Sequence, residues 1–329
     1  MIDSILANDF DSWELLLVDD GSEEDTLNAL YDYSKRDDRI SVIRRETLPK
    51  GPLTCRNIGF EKAVGEYVMF LDSDDFVMPY CLRNRTEALK NHPEFDFMVF
   101  PSRECRNGKI DFNSVTYAYG YPIHKDDVSA FAKRILPFVV WNNIYRADSL
   151  RRHGIVWDVK LKSLEDADYN MQTILAGMKY GYADTEPDYA YRIFDSIQSL
   201  SNYISTHQES SLHALDKFYC SIQSHYGRKY DRQLFKGLMS VYTMNCRDRK
   251  DTDFIAGLDG ILGRYDRCSQ KKFRIRMQLL EWLSHFLPYR ISRQVATGCD
   301  LLQYVYELKY RKPHKIIRIL RRRHHLSNV

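Results

Sequence analysis

Short apolar runs closed by polar turns organise the first part of the chain. Trp13 to Val18 (WELLLV) has the composition of a buried parallel strand and stops at Asp19-Asp20-Gly21-Ser22, a turn. Ser22 followed by Asp25 has the spacing of a capping box, and Leu27, Leu30 and Tyr31 recur at helical period, which predicts a helix next. Ile40 to Ile43 alternates as a second strand. Past the break at Pro49, Gly51 and Pro52 a helix is predicted from about Leu53 to Ala63, ending near Gly65. Tyr67 to Leu71 (YVMFL) is a further buried strand, again closed by carboxylates. Strand, helix, strand, helix, strand predicts a doubly wound α/β sheet, in which ligands bind beyond the carboxyl ends of the strands. Both acidic clusters fall at such ends.

Phe95 to Pro101 reads as another strand and Asp126 to Leu136 as a helix running toward Pro137. The stretch from Phe138 to Arg192 is mixed: a segment carrying Trp141, a helix from about Glu165 to Ala176, and a strand near Tyr189 to Ile193. From about Ser201 the strand signal gives way to helical periodicity, as in Leu279, Leu280, Trp282, Leu283, Phe286 and Leu287 on one face. The predicted division is an α/β domain over 1–204 and a helical C-terminal region over 205–329, with the boundary near Ser205.

Composition narrows the class. With 329 residues, 44% hydrophobic and 28% charged, the chain can bury a large core and is not a disordered polymer. Its seven cysteines are scattered and never spaced as CxxC, so neither a disulfide framework nor a thiolate zinc site is expected, which points to a reducing cytoplasm. The histidines form no HExxH pair. No apolar run has bilayer-spanning length, and the N-terminus lacks the pattern of a signal peptide. Charge is unevenly placed: Lys309, Arg311, Lys312, Lys315, Arg318, Arg321, Arg322 and Arg323 supply eight of the positive charges, and with those set aside the net +3 becomes about −5. Interleaved with Ile316, Ile317, Ile319 and Leu320, this tail reads either as a solvated basic end or as an interfacial helix drawn to anionic lipid at the inner face of the plasma membrane. Nothing resembles a nucleic-acid-reading motif.

Three acidic groups carry candidate chemistry. Asp72-Ser73-Asp74-Asp75, at the exit of an apolar strand, can be a solvated turn or can hold a hard divalent cation, Mg²⁺ or Mn²⁺, that keeps sites open for phosphate oxygens. An EF-hand is excluded because Val77 and Arg83 stand where Gly and Glu are needed. A phosphatase with Asp72 as nucleophile is a rival reading, weakened by Asp75 in the place where Thr or Val is usual. Asp19-Asp20 can cap a turn or accept hydrogen bonds from a base or ribose. Ser163-Leu164-Glu165-Asp166 can be a capping box or can present a general base.

Taken in order, WELLLVDDGS, PLTCRNIGFEKAVGEYVMFLDSDDFVMP, SLEDADYN and YAYRIFDSIQS resemble the family 2 glycosyltransferases of the GT-A fold, a Rossmann-like, mostly parallel sheet with flanking helices, across roughly residues 1–200. The resemblance implies a nucleotide-sugar-binding half over 1–105 and an acceptor half over 106–204. It implies that Asp19 and Asp20 contact base and ribose, that Lys50, Gly51, Arg56 and Asn57 line the donor, and that Asp72 and Ser73 approach the donor's ribose. Asp74, with Asp72, would bind Mn²⁺ or Mg²⁺, Asp75 standing behind them. Asp166 would be the catalytic base with Glu165 beside it. Trp141 reads first as a core aromatic and second as a sugar platform, and Arg192 and Ser196 are candidates for a loop over the diphosphate. The implied reaction is inverting displacement on a nucleotide diphosphate sugar, UDP favoured, carrying a hexose or aminohexose to a saccharide or lipid-linked saccharide in cell-surface polysaccharide synthesis. Family members start with an apolar strand and polar turn; Met1 to Leu6 resembles the middle of the helix that follows, so roughly twenty residues are expected to be absent, through a misassigned start or a truncated gene, and the alternative to a transferase is an inactive, truncated one acting as a binding protein.

Overall fold

The computed structural model describes residues 1–112, 114, 126–162, 164–193, 208–245 and 252–286. Contacts divide the chain into two units, Met1–Tyr119 with Phe138–Asp195, and Gly120–Pro137 with Ser196–Val329.

The first unit begins with a short helix, α1 (Ile2–Leu6), as its resemblance to a helix predicts. Strand β1 (Leu15–Asp19), helix α2 (Glu24–Arg36), strand β2 (Ile40–Arg44) and helix α3 (Pro52–Lys62) follow. β1 and β2 pair in parallel from Leu15 opposite Ile40 to Asp19 opposite Arg44, so the chain leaves β1 at the acidic turn. Ser22 does not cap α2, contrary to its spacing: the N-cap position falls to Glu23, without a side-chain bond, and Ser22 lies in the Asp19 turn, its N–H donating to Asp19 Oδ1 at 3.0 Å.

After α3 the chain forms β3 (Tyr67–Val68), β4 (Phe76–Val77), α4 (Cys81–Asn91), β5 (Phe97–Val99), β6 (Ser102–Arg106) and β7 (Lys109–Ile110). Helix α5 (Asp127–Ala132) belongs to the second unit. β8 (Asn143–Arg146), α6 (Ala147–His153), α7 (Glu165–Leu175), β9 (Tyr180–Tyr182) and β10 (Tyr189–Ile193) complete the first. Two four-stranded sheets result, ordered β3-β8-β5-β9 and β4-β10-β6-β7. The α/β class holds, with parallel and antiparallel pairs mixed in the sheets. Among the described residues β5–β9, β6–β10 and β1–β2 run parallel while β3–β8, β5–β8, β4–β10 and β6–β7 run antiparallel. The apolar run at Tyr67–Leu71 keeps its ladder only over Tyr67 and Val68. Its Phe70 instead turns into the core, edge-on to Tyr145, Trp157 and Tyr169. Leu89, Met98, Phe100, Ile144 and Ala183 form a neighbouring cluster between α4 and the β5–β8 pair.

The second unit packs α5 with α8 (Gln208–Tyr226), α9 (Asp231–Asn245), α10 (Thr252–Leu262) and α11 (Arg267–Ser284), so a helical C-terminal region is present as expected. Its core holds Phe218, Ile222, Leu238, Phe254, Leu258, Ile261 and Phe273. The helix predicted to reach Leu136 ends at Ala132, and Arg134 adopts a left-handed backbone (φ 64°) that cannot continue it. α5 and α9 approach so closely that a Cβ on Gly237 would meet the Ala132 carbonyl oxygen at 2.4 Å, which leaves glycine as the residue that fits.

Candidate active site

Arg56 on α3 joins two of the three acidic groups. Its Nη2 donates to Asp72 Oδ1 at 2.5 Å, and its Nη1 lies 3.9 Å from Asp166 Oδ1. The guanidinium lies over the Trp157 ring, 4.5 Å from its centroid. Desolvation would weaken this cation, but the charges of Asp72, Asp166 and Glu165 outweigh it and hold Arg56 charged. Asn57, one residue on, fixes the platform: its Nδ2 donates to the Trp157 carbonyl and its Oδ1 accepts from the Trp157 N–H, both at 2.9 Å. Asn57 therefore positions Trp157 rather than presenting a free amide.

Asp166 sits in the first turn of α7 with 17% of its side chain accessible. Burial pushes its carboxyl up to about 8, Arg56 pulling down and Glu165 and Asp72 pushing up. Its Oδ1 and the Trp157 indole N–H are buried without a hydrogen-bond partner among the described residues. Buried polar atoms are ordinarily satisfied, so these two would gain a partner if a ligand's hydroxyl or phosphate oxygen reached them. Leu164, ahead of the helix, is left-handed (φ 63°) and offers no side-chain cap; Ser163 lies outside the described residues. Behind Asp166, Asn170 on the same helix accepts from Asn143 Nδ2 at 3.1 Å and from Tyr145 Oη at 3.2 Å on β8, fixing α7 against the sheet.

The acidic loop is held from below by Asp75. This buried carboxylate accepts from Tyr189 Oη and from the Arg192 N–H, both at 2.6 Å, and the Asp72 N–H donates to Tyr189 Oη at 3.4 Å. Burial raises Asp75 to about 7 despite these bonds. With Asp75 directed inward, Ser73 and Asp74 are left exposed on the rim. Burial also raises Asp74, with Asp72 adding to it and Arg192 opposing. The Arg192 guanidinium lies over Phe76, 4.5 Å from the ring centroid; Ser196 lies outside the described residues.

At the end of β1, Asp19 is turned onto its own turn, accepting from the Gly21 N–H at 3.1 Å and the Ser22 N–H at 3.0 Å. Burial opposes its ionisation, but the Ser22 and Gly21 bonds prevail and lower its pKa. Asp20 faces α3, accepting from the Arg45 Nε–H and from the Gly51 N–H at 3.2 Å. Gly51 takes φ 145°, a backbone that favours glycine, and so brings its N–H to Asp20 ahead of Pro52 at the start of α3. Lys50 is exposed beside Gly21: a Cβ there would stand 3.7 Å from Lys50 Nζ.

Of the two readings of Trp141, the structure has the core one. Its ring stacks on Tyr189 at 4.6 Å and on Tyr191 at 5.4 Å, buried, so it is core rather than a sugar platform. Beneath it lies an ion pair fully removed from solvent. Arg85 on α4 binds Asp188 at 2.7 and 2.9 Å, and its Nη1 donates to the Trp141 carbonyl at 2.9 Å. Sequence reasoning missed Trp157 and Tyr189. Their apolar neighbours in sequence give no sign of the partners they meet, 100 residues away at Asn57 and 114 away at Asp75.

Among the described residues no cluster of three or more His, Cys, Asp or Glu side chains forms a complete metal cage. The donor set still fits a hard cation that takes only one or two carboxylates and completes its shell with phosphate oxygens and water. Asp74, exposed on the rim, and Asp72, whose Oδ1 accepts from Arg56, would be those carboxylates.

Residues 1–154 match the family model described as glycosyl transferase family 2. The uncharacterized glycosyltransferase EpsJ of Bacillus subtilis (strain 168) is 25% identical over 195 residues, 58% of this chain and 56% of that protein, so the chain spans little more than half of that relative's length. TarS, the poly(ribitol-phosphate) β-N-acetylglucosaminyltransferase of Staphylococcus aureus (strain MW2), is 27% identical over 177 residues, 53% of this chain and 30% of TarS. The crystal structure of S. aureus TarS 1–349 in complex with UDP-GlcNAc superposes with a TM-score of 0.61 at 18% identity, covering 94% of this chain and 87% of that one. The mannosyltransferase PcManGT of Pyrobaculum calidifontis, in complex with GDP-Man and Mn²⁺, gives 0.50 at 12% identity, covering 92% and 81%. The family match assigns residues 1–154 to the family 2 glycosyltransferases, and the likeness to TarS gives the chain a GT-A fold.

Proposed function

We propose that this enzyme is an inverting, divalent-metal-dependent transferase. It moves a hexose or aminohexose from a nucleotide diphosphate sugar, UDP-linked by preference, to a hydroxyl of a saccharide or lipid-linked saccharide in cell-surface polysaccharide synthesis. The observation that carries the reading is the Arg56 bridge, which brings the carboxylate of the acidic loop and the carboxyl of Asp166 to one cation. Asp166, in its protein pocket, takes the proton of the acceptor hydroxyl as that oxygen attacks the anomeric carbon from the face opposite the leaving diphosphate. Arg56 orients Asp166 and offsets the charge of the ionised base. Asp74 and Asp72 would hold the cation, which would supply charge stabilisation to the departing diphosphate. Asp20 and Gly51 form the nucleotide end, beside Lys50. UDP-GlcNAc in the TarS complex and Mn²⁺ with GDP-Man in the mannosyltransferase support the donor class and the metal. The basic tail, outside the described residues, gives the enzyme a cytoplasmic station at an anionic membrane face.

The test is release of nucleoside diphosphate from a panel of UDP-sugars with and without Mn²⁺. Turnover that requires Mn²⁺ and falls at least about 100-fold in Asp74→Ala is expected; metal-independent turnover in that variant would remove the acidic loop from the chemistry.

A further inference from the structure

The last described helix, α11, carries an apolar stripe on its outer face. Ile275, Leu279, Trp282 and Phe286 follow one another at spacings of four, three and four residues, which places them in one line along the helix and its C-terminal extension. All four are exposed, by 52%, 37%, 60% and 71%. The core of the helical unit is served by a different face, where Phe273 is buried. An exposed line of four large apolar groups, two of them aromatic, marks an interaction surface.

The charges beside the stripe identify its partner. Lys271 and Lys272 are exposed on its two flanks, Arg274 is exposed, and Arg276 is half-buried one residue past Ile275. Within the helix these four and Arg267 face a single acid in sequence, Glu281. A second copy would bring the same cations against themselves. The chain's own basic tail, Lys309 to Arg323, would be repelled in the same way. An anionic lipid surface satisfies both halves of the helix: headgroups meet the lysines, while Trp282 and Phe286 enter the boundary between headgroups and acyl chains. No described helix is long and apolar enough to cross a membrane, which fits a helix that lies on one.

We propose that α11 is an interfacial membrane-docking helix that seats Ile275, Leu279, Trp282 and Phe286 in an anionic bilayer surface. This is a second membrane element, independent of the basic tail and of the transfer chemistry. Co-sedimentation of the full chain with phosphatidylcholine vesicles, and with vesicles that also contain phosphatidylglycerol, tests it, with tryptophan emission recorded on the same samples. Binding only to the phosphatidylglycerol vesicles, with a blue shift absent in Trp282→Phe, is expected. The double variant Trp282→Ser/Phe286→Ser should bind at least about tenfold more weakly, and Lys271→Glu/Lys272→Glu should also weaken binding. Unchanged nucleotide-sugar turnover in these variants shows that they fold. Binding that persists at full strength in them and is lost only when the tail's charges are reversed would overturn the proposal. So would no vesicle binding together with dimerisation that depends on Trp282 and Phe286, which would make the stripe a contact between copies.

Discussion

Asp166 must do two things that conflict, standing in a dry pocket and carrying a negative charge. Burial raises its pKa from 3.8 to about 8, so in the free enzyme it is protonated over much of the neutral range. A base works only when ionised, and kcat/KM for transfer should therefore rise with pH along a limb far above the usual carboxylate range, toward about 8. The sign for stability is opposite. The folded pKa is raised above the unfolded one, so this group's contribution favours folding at low pH and is lost as pH climbs from about 4 to about 8. Asp166→Asn should flatten that part of the stability profile, as read by denaturant unfolding across the pH range. Arg56 moderates the conflict, since its charge pulls the Asp166 pKa down while its plane is braced on Trp157.

Whole elements are fixed here by buried polar joints. Arg85 and Asp188 join α4 to the start of β10, and the Arg85 guanidinium also gathers the carbonyls of Trp141 and Asn143, at 2.9 and 3.4 Å, beside β8. Arg85→Met leaves Asp188 as an uncompensated buried acid and should cost about 3–5 kcal/mol in unfolding free energy; Asp188→Asn/Arg85→Met together should recover part of it. The elements themselves were largely legible in sequence. β10 was predicted over the span it occupies, and β1, β2, α3 and α7 lie within a few residues of their apolar patterns. Local pattern failed where a distant partner decides. The spacing of Ser22 and Asp25 predicts a cap, but α2 starts one residue later, with Glu23 at the N-cap, and Ser22 belongs to the Asp19 turn. The run at Tyr67–Leu71 promised a longer strand, but Phe70 goes to the aromatic core. The acidic clusters were visible as residues, but their connection through Arg56 was not, because it joins α3, the loop after β3 and α7.

At the scale of the molecule, the first unit holds all the described candidate residues of the transfer site, and the helical unit carries the exposed α11 stripe. Donor binding should therefore be visible as stabilisation of the fold around the acidic loop. At about 100 times its Kd, a UDP-sugar with Mn²⁺ adds about 2.7 kcal/mol, which differential scanning fluorimetry should report as a rise of several degrees in Tm, whereas free sugar should leave Tm unchanged. The central claim is that Asp166 is the base of a metal-assisted transfer, and it meets its most direct test in steady-state turnover of the Asp166→Asn enzyme with a UDP-sugar and Mn²⁺. The account predicts a fall in kcat of about 100-fold or more with donor Kd unchanged; wild-type kcat in that variant would contradict it.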